Sequence, residues 1–115
     1  MAIQKWSDNI TLAELADDPQ FMDELTTLTD KLEQAPTDVA LNFAAVSFIN
    51  SSNVAKLLRL RKQLMNAGRN LMLCCVNTQV WGVFLVTGLD KIFEFTSDVS
   101  TALATLQLTS GDRGD

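Results

Sequence analysis

The chain of 115 residues has no histidine and no tyrosine, and its only cysteines are the neighbours Cys74 and Cys75. Without histidine it cannot form a Cys–His catalytic pair or a histidine-containing metal site, and two adjacent cysteines lack the spacing of a zinc site. Adjacent side chains of a strand point to opposite faces, so these two should not form a disulfide with each other. We expect buried thiols in a reducing compartment, no metal and no cofactor.

Long apolar runs are absent as well. No stretch approaches the roughly 20 apolar residues that span a bilayer, and residues 1–8 lack the basic and apolar regions of a secretory signal. A composition of 47% hydrophobic and 20% charged residues is typical of a globular protein. We expect one cytoplasmic domain over residues 1–115, with a core at about 3–108, a flexible tail at 109–115 and no membrane insertion.

Acidic residues are missing from residues 39–89, although the chain carries a net charge of −5. That segment holds five cations, namely Lys56, Arg59, Arg61, Lys62 and Arg69. A basic stripe on an acidic chain indicates either a docking surface for an acidic partner or a solvated helix face. Direct nucleic-acid binding is disfavoured, because the stripe is short, lacks interleaved aromatics and belongs to a chain with a pI near 4.5.

The apolar pattern predicts alternating strands and helices. The predicted elements are strands at 3–6 and 10–15, a helix from Asp18 and Pro19 to Pro36, a strand at 38–49, a helix ended by Gly68, a strand at 70–76, a short helix after Asn77 or Thr78, a strand at 92–95 and a helix from Ser97 or Asp98. The interval between the strands at 38–49 and 70–76 has the length of a crossover helix. We therefore expect a parallel βαβ unit with a right-handed crossover.

The helix that follows residue 50 has two predicted faces. The predicted buried face consists of Val54, Leu57, Leu58, Leu64 and Met65. Lys56, Arg59 and Lys62 recur at three-residue spacing on another face. This arrangement predicts an amphipathic helix with a cationic outer surface.

Two hydroxyls, Ser51 and Ser52, lie where strand-like sequence changes to helix-like sequence. A helix N-terminus has free backbone N–H groups and a positive dipole end, which favour a capping oxygen or a phosphoryl group. Two interpretations are open: the serines are helix caps only, or they include a phosphorylation site.

Three blocks of the chain, in order, resemble the STAS domain of the anti-sigma factor antagonists. The first is the strand followed by Asn50-Ser51-Ser52-Asn53, which is similar to the family's Asp/Asn-Ser-Ser/Thr-Gly motif. The second and third are residues 68–74, similar to the turn into the next strand, and residues 83–93, similar to the short helix, Thr-Gly-Leu turn and final strand. The resemblance implies an α/β STAS-like fold, a small mixed sheet with a parallel βαβ core and about four helices.

The resemblance also implies a regulatory role without catalysis. In phosphorylatable members, the serine after the Asp or Asn is the kinase target, which corresponds to Ser51, with Ser52 as the fallback. The implied partners are an anti-sigma Ser/Thr kinase and a reactivating phosphatase. We expect contact through the motif residues Asn50, Ser51, Ser52 and Asn53 and, from the basic stripe, through Lys56 and Arg59; weak self-association is left open. Asn50 stands where the family usually has Asp, and Asn53 where it usually has Gly.

Other functions are kept as alternatives. A STAS module that is not phosphorylated, such as a scaffold or a subunit associated with a transporter, would use the same helix face. An enzyme is disfavoured, because the sequence shows no paired carboxylates, phosphate-binding Gly-rich loop or activated nucleophile.

Overall fold

The computed structural model describes the backbone of residues 2–114 and the side chains of residues 2–109. The elements in this part of the chain are β1 (Ile3–Ser7), β2 (Ile10–Ala16), α1 (Gln20–Gln34), β3 (Asp38–Ala45), α2 (Ser51–Asn66), β4 (Leu71–Cys74), α3 (Thr78–Val86), a 3-10 helix (Leu89–Lys91), β5 (Glu94–Thr96) and α4 (Val99–Gly114). The predicted α/β class with four helices is confirmed.

The five strands form one mixed sheet in the order β1-β2-β3-β4-β5. Only β1 and β2 pair antiparallel, through the tight hairpin at residues 8–9, whereas β2, β3, β4 and β5 are parallel. Each parallel connection requires a crossover, and α1, α2 and α3 provide the three crossovers in turn. The predicted parallel βαβ unit corresponds to β3-α2-β4.

Helices cover both faces of the sheet, as a parallel sheet requires. On one face, the ring of Phe43 in β3 lies between Phe21 of α1 and Phe84 of α3, with centroid distances of 6.0 and 6.5 Å. On the other face, Ala40 and Met72 belong to the apolar cluster that α4 completes. Residues of β3 therefore alternate between two separate cores.

Several element boundaries differ from the prediction. Helix α1 begins at Gln20 with Pro19 at the N-cap position, one residue later than expected, and Asp18 Oδ1 accepts a hydrogen bond from the N–H of Met22 at 3.3 Å. Strand β3 ends at Ala45, because the chain turns away from the sheet before α2. Helix α4 continues to Gly114, past the predicted end of the core near residue 108. The side chains of the predicted flexible tail, 109–115, lie outside the described part of the chain from residue 110 onward.

The buried face of α2 is also rotated relative to the prediction. Its buried residues are Asn53, Leu57, Leu60 and Leu64. Leu58 and Met65 are 37% and 58% exposed, so their assignment to the core was wrong. The run Leu57-Leu58 allows two helical faces, and packing against α1 and the sheet selects the face that contains Leu57.

The two cysteines differ in environment. Cys74 is the last residue of β4, is buried on the face covered by α4, and its thiol lies 3.5 Å from the carbonyl oxygen of Leu41. Burial, and then the neighbouring Cys75, raise the pKa of Cys74 to about 12. Cys75 is half-buried and has a positive φ of 63°, which places it in the turn after the strand. Both thiols are free, and the prediction of burial is confirmed for Cys74 only.

The corrected face of α2 gives a direct test. Leu60→Ala removes a side chain with 0% exposure and should lower the free energy of unfolding by about 2–5 kcal/mol. The matched control Leu58→Ala removes a partly exposed leucine from the same helix and should cost much less, about 1 kcal/mol or below. Chemical denaturation of both variants measures the difference. Equal losses would show that the helix is rotated from the orientation described.

Candidate functional site

The carboxyl ends of β2, β3 and β4 share one edge of the sheet, and the loops that follow them meet there. These loops are residues 17–19, 46–50 and 75–77. Ligand and partner sites of open α/β sheets form at this edge. The four-residue motif Asn50 to Asn53 lies at the end of the middle loop, so the predicted site is located at the edge of the sheet where such sites are common.

Asn50 is the N-cap residue of α2. Its Oδ1 accepts a hydrogen bond from the N–H of Asn53 at 2.8 Å, and Asn53 Oδ1 accepts one from the N–H of Asn50 at 3.1 Å. This reciprocal capping box satisfies two backbone donors with two asparagines. Ser51 and Ser52 are therefore the first two residues of the helix, and the interpretation that they cap it is wrong.

The side chain of Asn53 is buried, with 2% exposure. Its Nδ2 donates to Asp18 Oδ2 at 3.1 Å, and Asn50 Nδ2 donates to the same oxygen at 3.3 Å. Asn53 therefore lies beneath the surface formed by Ser51 and Ser52, and not in it. A side chain at the family's glycine position connects α2 to the loop before α1.

Two further side chains hold the 46–50 loop. Asp17 Oδ1 accepts a hydrogen bond from the N–H of Ser47 at 2.7 Å. This bond, followed by one from the Ser47 hydroxyl, holds the pKa of Asp17 below its usual value of 3.8. From the other side, Asn77 Nδ2 donates to the carbonyl oxygens of Val46 at 3.0 Å and Ser47 at 3.3 Å. The loop is thus fixed by both neighbouring loops.

The hydroxyls of Ser51 and Ser52 are exposed and make no hydrogen bond to any residue that the structure describes. The first turn of α2 contains no acidic residue. Phe48, three residues before Ser51, is 60% exposed. The site therefore presents two unengaged hydroxyls at the start of α2, next to an apolar ring on a loop held by hydrogen bonds.

A basic face continues from the serines along α2. Ser52, Lys56 and Arg59 follow one another at spacings of four and three residues, which places them on one side of the helix. Lys56 is half-buried, whereas Arg59 and the next cation, Lys62, are exposed. Among the described residues, none of these three cations has a carboxylate within 4.0 Å. The predicted cationic face of α2 is therefore confirmed as a surface with unpaired charge.

Asp17, Asp18 and Asn77 also belong to this site, although they were not among the predicted site residues. Their positions supplied a usable signal: each follows a strand of the parallel sheet, and the carboxyl ends of adjacent parallel strands lie side by side. Asp18 was predicted only at the start of a helix. Asn77 was interpreted only as a cap, which it also is, since its Oδ1 accepts from the N–H of Val80 at 2.8 Å.

Five of the six predicted site residues, Asn50, Ser51, Ser52, Lys56 and Arg59, reach the surface at the start of α2. The prediction that Asn53 contacts a partner was wrong, because its side chain is buried by the capping box and Asp18. Within the described residues, no group of three or more acidic or cysteine side chains is arranged to hold a metal ion. Over the same part of the chain, none of the helices combines the length and apolarity needed to cross a bilayer. The arrangement is a solvent-exposed surface with two hydroxyls that no described residue engages.

The capping box predicts a clear order of stabilities. Asn53→Ala removes one capping acceptor and leaves a donor of Asn50 and a carboxylate oxygen of Asp18 short of partners, so unfolding should become easier by about 2 kcal/mol. Ser52→Ala, one residue away, removes no hydrogen bond and should stay within about 0.5 kcal/mol of the wild type. Thermal or chemical denaturation checks the order. A larger loss in Ser52→Ala would mean that the serine is the cap.

Comparison with known proteins agrees with this architecture. Residues 15–102 match the family model of the STAS domain. A Thermotoga maritima protein assigned to the anti-sigma factor antagonists is 17% identical, with a TM-score of 0.81 over 91% of this chain and 92% of that one. The Bacillus cell fate determinant SpoIIAA, in its phosphorylated form, is 17% identical, with a TM-score of 0.70 over 90% and 96%.

A sulfate transporter family protein from Wolinella succinogenes has the same fold. It is 21% identical, with a TM-score of 0.69 over 86% of this chain and 85% of that one. At these identities the solved structures establish the fold alone, whereas the family model covers most of the chain. The chain belongs to the STAS domain family.

Proposed function

We propose that this protein is a non-enzymatic anti-sigma factor antagonist of the cytoplasm. It binds an anti-sigma Ser/Thr kinase in its unmodified form, is released when that kinase phosphorylates Ser51, and is reset by a phosphatase. The observation that carries the proposal is the exposed, unengaged hydroxyl of Ser51 at the start of α2, directly after a loop fixed by hydrogen bonds. The fold shared with the T. maritima protein and with phosphorylated SpoIIAA supports it.

The two departures from the family motif are compatible with a switch. Asn50 lacks the charge of the usual Asp, but Asp18 brings a carboxylate to within 3.3 Å of its amide nitrogen. Asn53 is buried, so its side chain does not obstruct a partner that approaches Ser51. A negative charge and an accessible serine are therefore both retained near the motif, the charge being supplied by a different loop.

Phosphorylation at Ser51 needs no rearrangement of the domain. The N–H groups of Ser51 and Ser52 have no acceptor among the described residues, and they lie at the positive end of α2. A phosphoryl group adds about −1.5 to −2 charges and three acceptor oxygens. A partner packed on this surface would have to desolvate that dianion, and a penalty of roughly 3 kcal/mol weakens binding about a hundredfold.

The same geometry makes catalysis at Ser51 unfavourable. Asp17 and Asp18 are the nearest acids placed by hydrogen bonds around the 46–50 loop. The lowered pKa of Asp17 makes it a weak base, and both oxygens of Asp18 already accept hydrogen bonds. We therefore assign these carboxylates to holding the loop.

A second candidate function is that of an interaction module associated with a transporter. The W. succinogenes protein shows that a sulfate transporter family chain can have this fold. Such a module would contact its partner through the same surface, Ser51, Ser52, Lys56 and Arg59, without modification. The two functions differ in one measurable property, the phosphorylation of Ser51.

Phosphorylation is tested with an anti-sigma Ser/Thr kinase from the same genome, ATP and site-resolved mass spectrometry. We expect a single phosphate on Ser51, loss of labelling in Ser51→Ala and full labelling in the matched control Ser52→Ala. Equal labelling of Ser51→Ala, or phosphate on Ser52, would overturn the site assignment. Wild-type protein that several such kinases leave unmodified would favour the transporter-associated module.

The basic face is tested by charge reversal. Lys56→Glu or Arg59→Glu should weaken association with the kinase roughly tenfold at low salt, because an acidic partner surface would meet repulsion, and the effect should shrink as salt rises. Lys31→Glu, at the far end of α1, is the control and should bind as the wild type does. Calorimetry at two salt concentrations measures the effect. Unchanged kinase binding in both α2 variants would show that the basic face is a solvated helix face and not a docking surface.

A further inference from the structure

A cavity of about 330 Å³ lies where the last turns of α1 cross the β1–β2 hairpin. Its lining includes Ile3, Lys5, Thr11, Leu28, Lys31 and Thr37. Helix α1 runs from the carboxyl edge of the sheet to the opposite edge, so this cavity is remote from Ser51. Its volume is near the lower end of the range for small-molecule sites, about 300–1,000 Å³, which limits an occupant to a small molecule.

The charge around the cavity is positive within an otherwise acidic region. Lys5 and Lys31 are the only cations among residues 1–38, which contain nine acids, and both line this cavity. Among the described residues, neither lysine has a carboxylate within 4.0 Å, and no acidic residue lines the cavity. Two unpaired ammonium groups at one opening favour an anion.

A buried pair of hydroxyls leaves one donor without an acceptor. Thr11 and Thr37 are 8% and 5% exposed, and their Oγ1 atoms are 2.7 Å apart. One hydroxyl donates to the other, and neither makes another side-chain hydrogen bond within the described residues. Only one of the two O–H groups can donate across this contact. The O–H proton of the other threonine therefore has no acceptor among the described residues. An oxygen in the cavity would satisfy this proton, which is costly to leave buried and unpaired.

The rest of the wall is apolar except for Gln34. Ile3 in β1 is half-buried, and Leu28 of α1 is fully buried beneath the opening. The pairing of Lys5 with Thr11 across the hairpin places these two side chains on the same face of the sheet as Ile3. The cavity therefore combines an apolar wall, two cations and one spare hydroxyl donor within a small volume.

We propose that this cavity binds a small amphipathic carboxylate. Its apolar body lies against Ile3 and Leu28, its carboxylate faces Lys5 and Lys31, and one of its oxygens accepts the spare proton of the threonine pair. The apolar wall favours a carboxylate with an alkyl body over inorganic phosphate, which has no apolar part to lie against Ile3 and Leu28. The site is independent of the proposed phosphorylation at Ser51.

The test is an NMR titration of the ¹⁵N-labelled full chain with octanoate, using octan-1-ol as a neutral probe of equal length. We expect octanoate to shift the amide signals of β1, the start of β2 and the last two turns of α1. The alcohol should bind roughly tenfold more weakly, because it lacks the charge that faces the lysines.

Variants separate the contributions of charge and apolar contact. The double variant Lys5→Gln/Lys31→Gln should weaken octanoate binding roughly tenfold and leave octan-1-ol binding unchanged. Lys62→Gln, an exposed lysine on α2, is the matched control and should have no effect. All substituted lysines are exposed, and the unliganded spectra verify that each variant is folded.

Each remaining outcome would overturn the proposal. Equal binding of the alcohol, or octanoate binding that survives the double lysine substitution, would reduce the cavity to an apolar gap without preference for carboxylates. Shifts confined to other regions, such as α2 or α4, would place the ligand elsewhere. Octanoate that causes no saturable shift would show that the cavity takes no ligand of this class.

Discussion

The structure of the candidate site depends on one constraint: three loops that leave parallel strands must have their backbone groups satisfied next to each other at the surface. Short Asp and Asn side chains meet this requirement, since each can reach a backbone group in a neighbouring loop. Asp17 binds the N–H of Ser47, and Asn77 binds the carbonyl oxygens of Val46 and Ser47. The 46–50 loop is therefore fixed by contacts from both sides.

The capping box has a consequence for the serines. Because Asn50 and Asn53 cap each other, the start of α2 does not use either hydroxyl. A serine that caps a helix would lose its hydrogen bond when modified, and the helix would be destabilised. In the proposed function, a phosphoryl group on Ser51 would leave this cap intact. The proposed function thus gives the structural and regulatory roles to neighbouring residues of one motif.

Much of the fold could be predicted from the sequence, because long apolar patterns determine it. The apolar pattern of residues 38–49 predicts a strand, and residues 39–43 of that strand alternate between the two cores. The orientation of α2 could not be predicted in the same way. Leu57 and Leu58 are chemically equivalent, and only tertiary packing distinguishes between the faces they belong to. The local sequence pattern therefore predicts helix α2, whereas contacts with the rest of the domain determine which face of α2 is buried.

The candidate site was predictable only in part, for a related reason. Ser51 and the cations of α2 are close in sequence, so one segment revealed them together. Asp18 lies 32 residues before Asn50, and nothing in either segment alone indicates their contact. The rule that adjacent parallel strands end at one edge would have brought them together, once the order of the strands was known.

Aspartate side chains accept hydrogen bonds from neighbouring segments at both edges of the sheet, but they are buried at one edge and lie at the surface at the other. At the edge opposite the serines, Asp38 is fully buried and accepts a hydrogen bond from the N–H of Asn70 at 2.8 Å, with Arg69 Nε 3.7 Å away. That carboxylate joins β3 to β4 inside the protein, where a partner cannot reach it. Asp17 and Asp18 carry out the same joining at the surface, beside a hydroxyl that makes no internal bond. Because the serine edge combines a fixed loop with a hydroxyl that no described residue engages, the proposed phosphorylation would change the charge there without altering the fold that presents it.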